Sequence, residues 1–335
     1  MLSRFVAFFA SLVVLSQLVH ADNDPLPSWN EGAAKSSILE FVSEVTDKTG
    51  KNYVHPDERI ATFDQDGTLW VEQPLYTQLF FALDRLKILA PQHPEWKDQK
   101  ILAILNDNPE KLHTLSEADI EAIVSETHSG MTIEAYHDIV RQWLSQTLHP
   151  RFKKPFTELI YQPMLEVMQL LRNNGFKTYI VSGGGQEFMR TYAESVYGIP
   201  PAQIIGTAGK VKYEYQHGQP VLLKLPQLLF NDNYQGKPET INLIIGRRPV
   251  AAFGNSDGDR QMLEWAQVAT GKRLELLVHH DDEVREYAYG AHSKIGTFST
   301  SLMDEAKEKE WIVVSMKNDW KILFPWQKTT SSSDN

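Results

Sequence analysis

The stretch Ile60-Ala61-Thr62-Phe63-Asp64-Gln65-Asp66-Gly67-Thr68 limits the fold more than any other part of this chain. Ile60 to Phe63 form a short apolar run of the kind that ends as a buried strand. Two carboxylates, Asp64 and Asp66, follow two residues apart, and Gly67 and Thr68 turn the chain away. A strand running straight into Asp-x-Asp-Gly-Thr sets both acids where the C-terminal edge of a parallel sheet opens into a crevice, the usual ligand position in such sheets. Acids this close repel each other and cost stability unless a cation or a ligand lies between them. A plain Asx-rich turn would need Gly67 but not both aspartates.

The 335 residues leave room for one large domain or two ordinary ones. A formal charge of -10 argues against a general nucleic-acid or anionic-membrane partner. The absence of cysteine removes disulfides, thiolate metal sites and cysteine nucleophiles. At the N-terminus Arg4 precedes an apolar run from Phe5 to Val19, and Val19-His20-Ala21 suits a signal peptidase. This pattern predicts a secretory signal over residues 1–21. The run is short for a membrane span and is interrupted by Ser11, Ser16 and Gln17, so no anchor is expected once it is cleaved. A periplasmic or secreted chain without disulfides is the expectation.

Along the mature chain, Ser37-x-x-Glu40 has capping-box spacing before a helix through Ile38, Phe41, Val42 and Val45. Helical periodicity then recurs near Leu75–Lys87, Gln99–Leu105, Ser116–His128 and Thr132–Leu148 with no strand signal between. Residues 71–149 therefore read as a helical cap inserted over the acidic pair. Their histidines (His93, His113, His128, His137, His149) lack the paired spacing of a zinc helix and read as surface or capping residues. Pro163 opens a helix that Gly175 closes. Lys177 to Val181 read as a buried strand ending abruptly at Ser182-Gly183-Gly184-Gly185, with a helix restarting over Glu187–Ser195. That turn is either flexible or an anion-holding row of amides. From Lys210 to Leu225 the period switches to two around Gln216-His217-Gly218-Gln219, which predicts a small β flap. Lys237 opens a further helix. Val250 to Phe253 form another buried strand ending in Gly254-Asn255-Ser256-Asp257-Gly258-Asp259, and Leu274–Val278 and Trp311–Val314 read as two more. His279-His280-Asp281-Asp282 reads as a solvated loop, since adjacent strand residues point to opposite faces.

With two carboxylates, a serine with glycines and an Asn-x-Asp-x-Asp at three strand ends, the chain resembles the haloacid-dehalogenase-type (HAD-like) phosphatase superfamily over nearly all of its mature length. Asp64-Gln65-Asp66-Gly67-Thr68 matches the first signature, Val181-Ser182-Gly183 the second, Lys237 the third and Gly254 to Asp259 the fourth. The early insertion and the later hairpin look like the phosphoserine-phosphatase branch, and exported acid phosphatase-like members within it. The resemblance implies an α/β fold: a Rossmann-like core (residues 22–70 and 150–326) with a parallel sheet flanked by helices. To this it adds the helical cap, the β-hairpin flap and a disordered tail over 327–335.

For chemistry the resemblance implies Mg²⁺-assisted hydrolysis of a small phosphate monoester. Asp64 would attack phosphorus to give an aspartyl phosphate, and Asp66 would protonate the departing alkoxide and later activate water. Ser182, Gly183 and Lys237 would hold the phosphoryl oxygens; Lys210 and Lys224 compete with Lys237 for this role. Asp64, the carbonyl of Asp66, Asn255 and Asp259 would surround the metal. The family usually has an aspartate where this chain has Asn255, so weaker metal binding or compensation by Asp257 is expected. Glu72 stands near the position from which a glutamate recognises the substrate amine in phosphoserine phosphatases, or is a surface residue of the cap hinge. A halide leaving group needs no proton, so the second acid, Asp66, disfavours a dehalogenase. A phosphotransferase using the same intermediate, and a non-catalytic phosphate binder, are the alternatives.

Overall fold

The computed structural model describes residues 24–94 and 115–327. The predicted signal segment, the expected helix at Gln99–Leu105 and His113 lie outside them. The sheet has seven strands in the order β4-β3-β2-β1-β5-β6-β7. They are β1 (Ile60–Phe63), β2 (Lys177–Gly185), β3 (Ile204–Gln216), β4 (Gln219–Phe230), β5 (Ala251–Gly254), β6 (Leu274–His279) and β7 (Ile312–Ser315). All pairs are parallel except β3 with β4. β1 lies at the centre with every residue buried, because both faces of a doubly covered parallel sheet must be apolar.

Alternate strand residues feed two cores. On one face Phe63, Ile180, Phe253 and Leu276 pack against α1 (Ala33–Thr46) and α5 (Gln162–Asn173). On the other, Val181, Ala252 and Leu277 meet α8 (Gly236–Ile244), α9 (Arg260–Gln267) and α10 (Thr300–Glu308). Between β1 and α5 the chain forms α2 (Thr77–Leu89), α3 (Glu117–His128) and α4 (Ile133–Gln146). A small third core joins α2 and α3 through Leu79, Leu83, Leu86 and Ile123, and it includes Ile295 from the loop after β6. Tyr136, Val140 and Leu144 of α4 belong to the main core instead.

Several local expectations are corrected. The first helix begins at Ala33, not near Ser37, because buried Lys35 ties its first turn to Asp24 and Glu31 at 2.7 and 2.6 Å. β2 does not stop at Val181 but continues through Gly185. The helix after it is broken into α6 (Gln186–Arg190) and α7 (Ala193–Tyr197). The flap is longer than Lys210–Leu225: β3 pairs with β2 over Ile204–Thr207 before it turns to β4. His217 and Gly218, both at positive φ, form its two-residue turn. His128 and His149 are buried rather than superficial. Gln327, expected in the disordered tail, accepts the amides of Leu323 and Phe324.

Candidate active site

The order β2-β1-β5 brings the three signature-bearing strand ends side by side. Asp64 leaves β1 with its amide still bonded to Phe253 of β5 at 2.9 Å. Lys237, the second residue of α8, reaches between the strands and is fully enclosed. Its ammonium donates to Asp64 Oδ1 (2.6 Å), Asp259 Oδ1 (2.6 Å) and the Val181 carbonyl (3.0 Å). All three protons are thereby used, and Asp64 Oδ1 is fixed while Oδ2 stays outside this contact. Lys224, one competitor for this role, instead lies over the Tyr136 ring at 4.4 Å. Lys210, the other, is exposed on β3.

Asp66 is held by the Trp70 indole, which donates to its Oδ1 at 2.7 Å. Burial pushes its carboxyl up to about 6, against the opposing pull of Trp70 and Lys237. That value suits a group that must give and take a proton near neutrality. Burial, with Asp259 alongside, also pushes Asp64 up to about 8 against the opposing charge of Lys237, whose own ammonium is raised by the two carboxylates.

The glycine turn is a built feature, not a loose one. Ser182 is buried, and its hydroxyl accepts the Gly184 amide at 3.2 Å. The Gly185 amide is taken by Gln78 of α2 at 2.6 Å, so the cap rests directly on the turn. A Cβ at Gly185 would come within 2.6 Å of the Gln78 amide, and one at Gly183 within 3.3 Å of Asn233. Ser182 and Asp66 flank Gly184 and line the same cavity as Asp64 and Lys237.

At the β5 end the predicted ligands separate. Asp259 Oδ2 accepts the amides of Asn255 (2.9 Å) and Ser256 (3.0 Å), so it braces the loop and holds Lys237. Asp257, expected to compensate for Asn255, turns away to Arg260 (3.1 Å) and Ser299 (2.7 Å), and is corrected from the ligand set. Glu72 is not a surface residue. It is buried behind Asn255, whose side-chain amide donates to Glu72 Oε1 at 2.7 Å, and Tyr289 donates to the same oxygen at 2.7 Å. Burial and the charges of Asp66, Asp64 and Glu286 hold its carboxyl well above the usual range. With its N–H₂ anchored this way, Asn255 keeps Oδ1 toward Thr68 at 3.2 Å.

His280, expected in a solvated loop, is buried. It stacks on Tyr289 with centroids 4.4 Å apart and holds the Gly67 carbonyl at 2.7 Å. Gly67 has φ +77°, and a Cβ there would collide with Asn255 and Glu72. Tyr289, His280, Gln78 and Asn233 are thus site residues that the motifs missed. Only Asn233, in an Asn-Asp-Asn run just before Lys237, left a local signal.

Asp64 and Asp259 share the ammonium of Lys237, and Asp66 and Glu72 are two further buried or half-buried carboxylates beside them. They stand close enough that, after burial, the charge of Asp66 adds to the upward push on Asp64, and the charges of Asp66 and Asp64 to that on Glu72. This excess of negative charge, carried entirely on oxygen, fits a hard divalent cation such as Mg²⁺. Among the described residues no three histidine or acidic side chains form a closed metal cage. A cation here would therefore draw on Asp64, the Asp66 carbonyl, Asn255 and water.

A model of the haloacid dehalogenase-like hydrolase family matches residues 61–264. No curated protein matches the chain. Among solved structures, a functionally unknown protein from Anaerococcus prevotii is similar at 15% identity and TM-score 0.53, over 89% of this chain and 97% of that one. A protein of unknown function from Bordetella pertussis matches at 14% identity and TM-score 0.47, over 77% of this chain and 98% of that one. A phosphoserine phosphohydrolase-like protein from Francisella tularensis matches at 17% identity and TM-score 0.38, covering 76% and 94%. The first of these likenesses supports the fold alone.

Proposed function

Because the chain belongs to the haloacid dehalogenase-like hydrolases, we propose that it is a phosphatase that cleaves phosphate monoesters through a covalent phosphate on Asp64. The observation that carries this reading is the division of labour between two adjacent acids. Lys237 clamps one oxygen of Asp64, while Asp66 sits two residues on with a carboxyl raised to about 6. A nucleophile alone would serve a binder poorly, and a dehalogenase would have no use for the second acid.

In the first half-reaction Asp64 Oδ2 bonds to phosphorus as the bond to the ester oxygen breaks, and Asp66 passes its proton to the leaving alkoxide. In the second, Asp66 takes a proton from water, whose oxygen attacks phosphorus and releases Asp64. The Ser182 hydroxyl would meet the negative charge that grows on the phosphoryl oxygens, and Lys237 would offset that charge while it clamps Asp64 Oδ1. When bound, Mg²⁺ would offset the repulsion between carboxylate and phosphate dianion. Gly183 would let the phosphate approach the turn without a side chain in the way.

The N-terminal segment, from Arg4 to Ala21, supports export to the periplasm or beyond. Finding mature protein that begins at Met1 would sink that part. The chemical reading is tested by quenching the enzyme with ³²P-labelled phenyl phosphate and Mg²⁺. Acid-stable, hydroxylamine-labile label should map to Asp64 and vanish in Asp64→Asn. Turnover without any such label, or label elsewhere, would refute it.

A further inference from the structure

The cavity above Asp64 has a volume of about 880 Å³, far more than a phosphate on a three-carbon group occupies and typical of pockets for much larger ligands. Its walls are chemically unlike its floor. From the catalytic turn upward, Leu79 of α2 and Val124 of α3 face Val211, Leu222 and Leu228 of the hairpin. Among the charged groups on the walls, Glu187 is engaged by His137 and Arg190 at 2.8 and 2.7 Å and Lys224 by the Tyr136 ring, while Glu121 and Lys294, both exposed, also line the cavity. The hairpin is fixed against the cap rather than hanging free. The Lys224 amide donates to Met131 at 2.9 Å, and the Ser125 hydroxyl to the Pro226 carbonyl at 2.8 Å.

The apolar character continues out of the cavity. Leu229, Leu243 and Ile244 line its mouth and are 61%, 73% and 45% exposed. Large aliphatic side chains gathered at one opening normally mark a contact with something apolar. A small polar substrate such as phosphoserine would use none of this apolar surface.

We infer that the monoester cleaved here is the phosphate of a long apolar alcohol. Its phosphate sits at Asp64 and its chain runs between the hairpin and α3 to the leucine lip. This rests on the phosphatase reading above, and it names the substrate class of that site.

The test is a series of n-alkyl phosphates from ethyl to decyl, each below its micellar concentration, assayed for kcat/KM with Mg²⁺. Each methylene drawn into the cavity should raise kcat/KM about three- to fourfold, giving at least a hundredfold between ethyl and octyl. The octyl-to-ethyl ratio should fall at least tenfold in Leu222→Glu and in Leu228→Glu, two half-exposed wall positions whose variants can be checked for folding by circular dichroism. A flat or falling series, a ratio unmoved in both variants, or phosphoserine outperforming octyl phosphate overturns the inference. The matching alkylphosphonates, which cannot be hydrolysed, separate the two levels when their binding is measured by calorimetry. Affinity that climbs with chain length while no ester is turned over would sink the phosphatase reading alone. Affinity indifferent to chain length would sink the apolar-chain reading whatever the turnover.

Discussion

Asp66→Asn should make this protein a poor enzyme and a more stable fold. The Trp70 indole bonds to Oδ1, an oxygen that asparagine retains, so the local geometry has no reason to collapse. The carboxyl is raised from 3.8 to about 6 by burial, so the folded chain holds this proton more tightly than the unfolded one. Stability is therefore undiminished below pH 3.8, drains away as pH rises toward 6, and stays at the lower level above. Two units correspond to about 3 kcal/mol, an upper bound because one edge of the group faces the cavity. In metal-free buffer, urea unfolding at pH 7.5 should show the variant more stable by about 1–3 kcal/mol, with the gain shrinking to nothing near pH 4. The same change should cost about 10²–10⁴-fold in kcat with an alkyl phosphate, whose leaving group needs a proton. The loss should be several-fold smaller with p-nitrophenyl phosphate, whose leaving group hardly needs one. A variant that is less stable at pH 7.5, or that loses the same factor on both substrates, refutes the assignment of Asp66 as a buried, proton-carrying acid.

Lys237→Met would strand two buried carboxylates. Unfolding free energy at pH 7.5 should drop by about 3–5 kcal/mol, and loss of less than 1 kcal/mol would mean the triple contact is not what holds the three strand ends together. Glu72→Gln keeps an oxygen for Asn255 and Tyr289 but removes the carboxyl that would ionise behind them when a cation binds. Mg²⁺ affinity, read by calorimetry, should weaken about 10–100-fold, with partial recovery in the Glu72→Gln, Asn255→Asp pair; unchanged affinity would detach Glu72 from the cation.

The elements that carry the chemistry were legible because their signals are local. Ile60–Phe63 and Val250–Phe253 are buried on both sides, and Lys177–Val181 is buried at Thr178, Ile180 and Val181, so all three appear as largely apolar runs, and each ends in polar or glycine residues suited to a ligand. What escaped depends on contacts across the chain. Glu72 read either as a substrate-recognising glutamate or as a hinge residue, and its place behind Asn255 stayed hidden because its partners, Asn255 and Tyr289, lie 183 and 217 positions away. For His280, the rule that neighbours on a strand face opposite ways was sound: His279 is partly open and His280 is buried. The inference that both were solvated did not follow from it. The hairpin was placed too late because β3 has two lives. Its first residues are buried in the parallel sheet and show no alternation, and only the exposed half beyond Lys210 displays a period of two.

Ile295 seated among the leucines of α2 and Ile123 of α3, and α4 seated in the main core, have a consequence for how such lids evolve. This lid is stitched to its base at both flanks and by a residue from much later in the chain. It cannot be exchanged as a cassette between relatives, because a transplanted copy would arrive without Ile295 beneath it and leave a hole where Tyr136 and Val140 had been. New specificities on this scaffold would have to arise by changing wall residues one at a time.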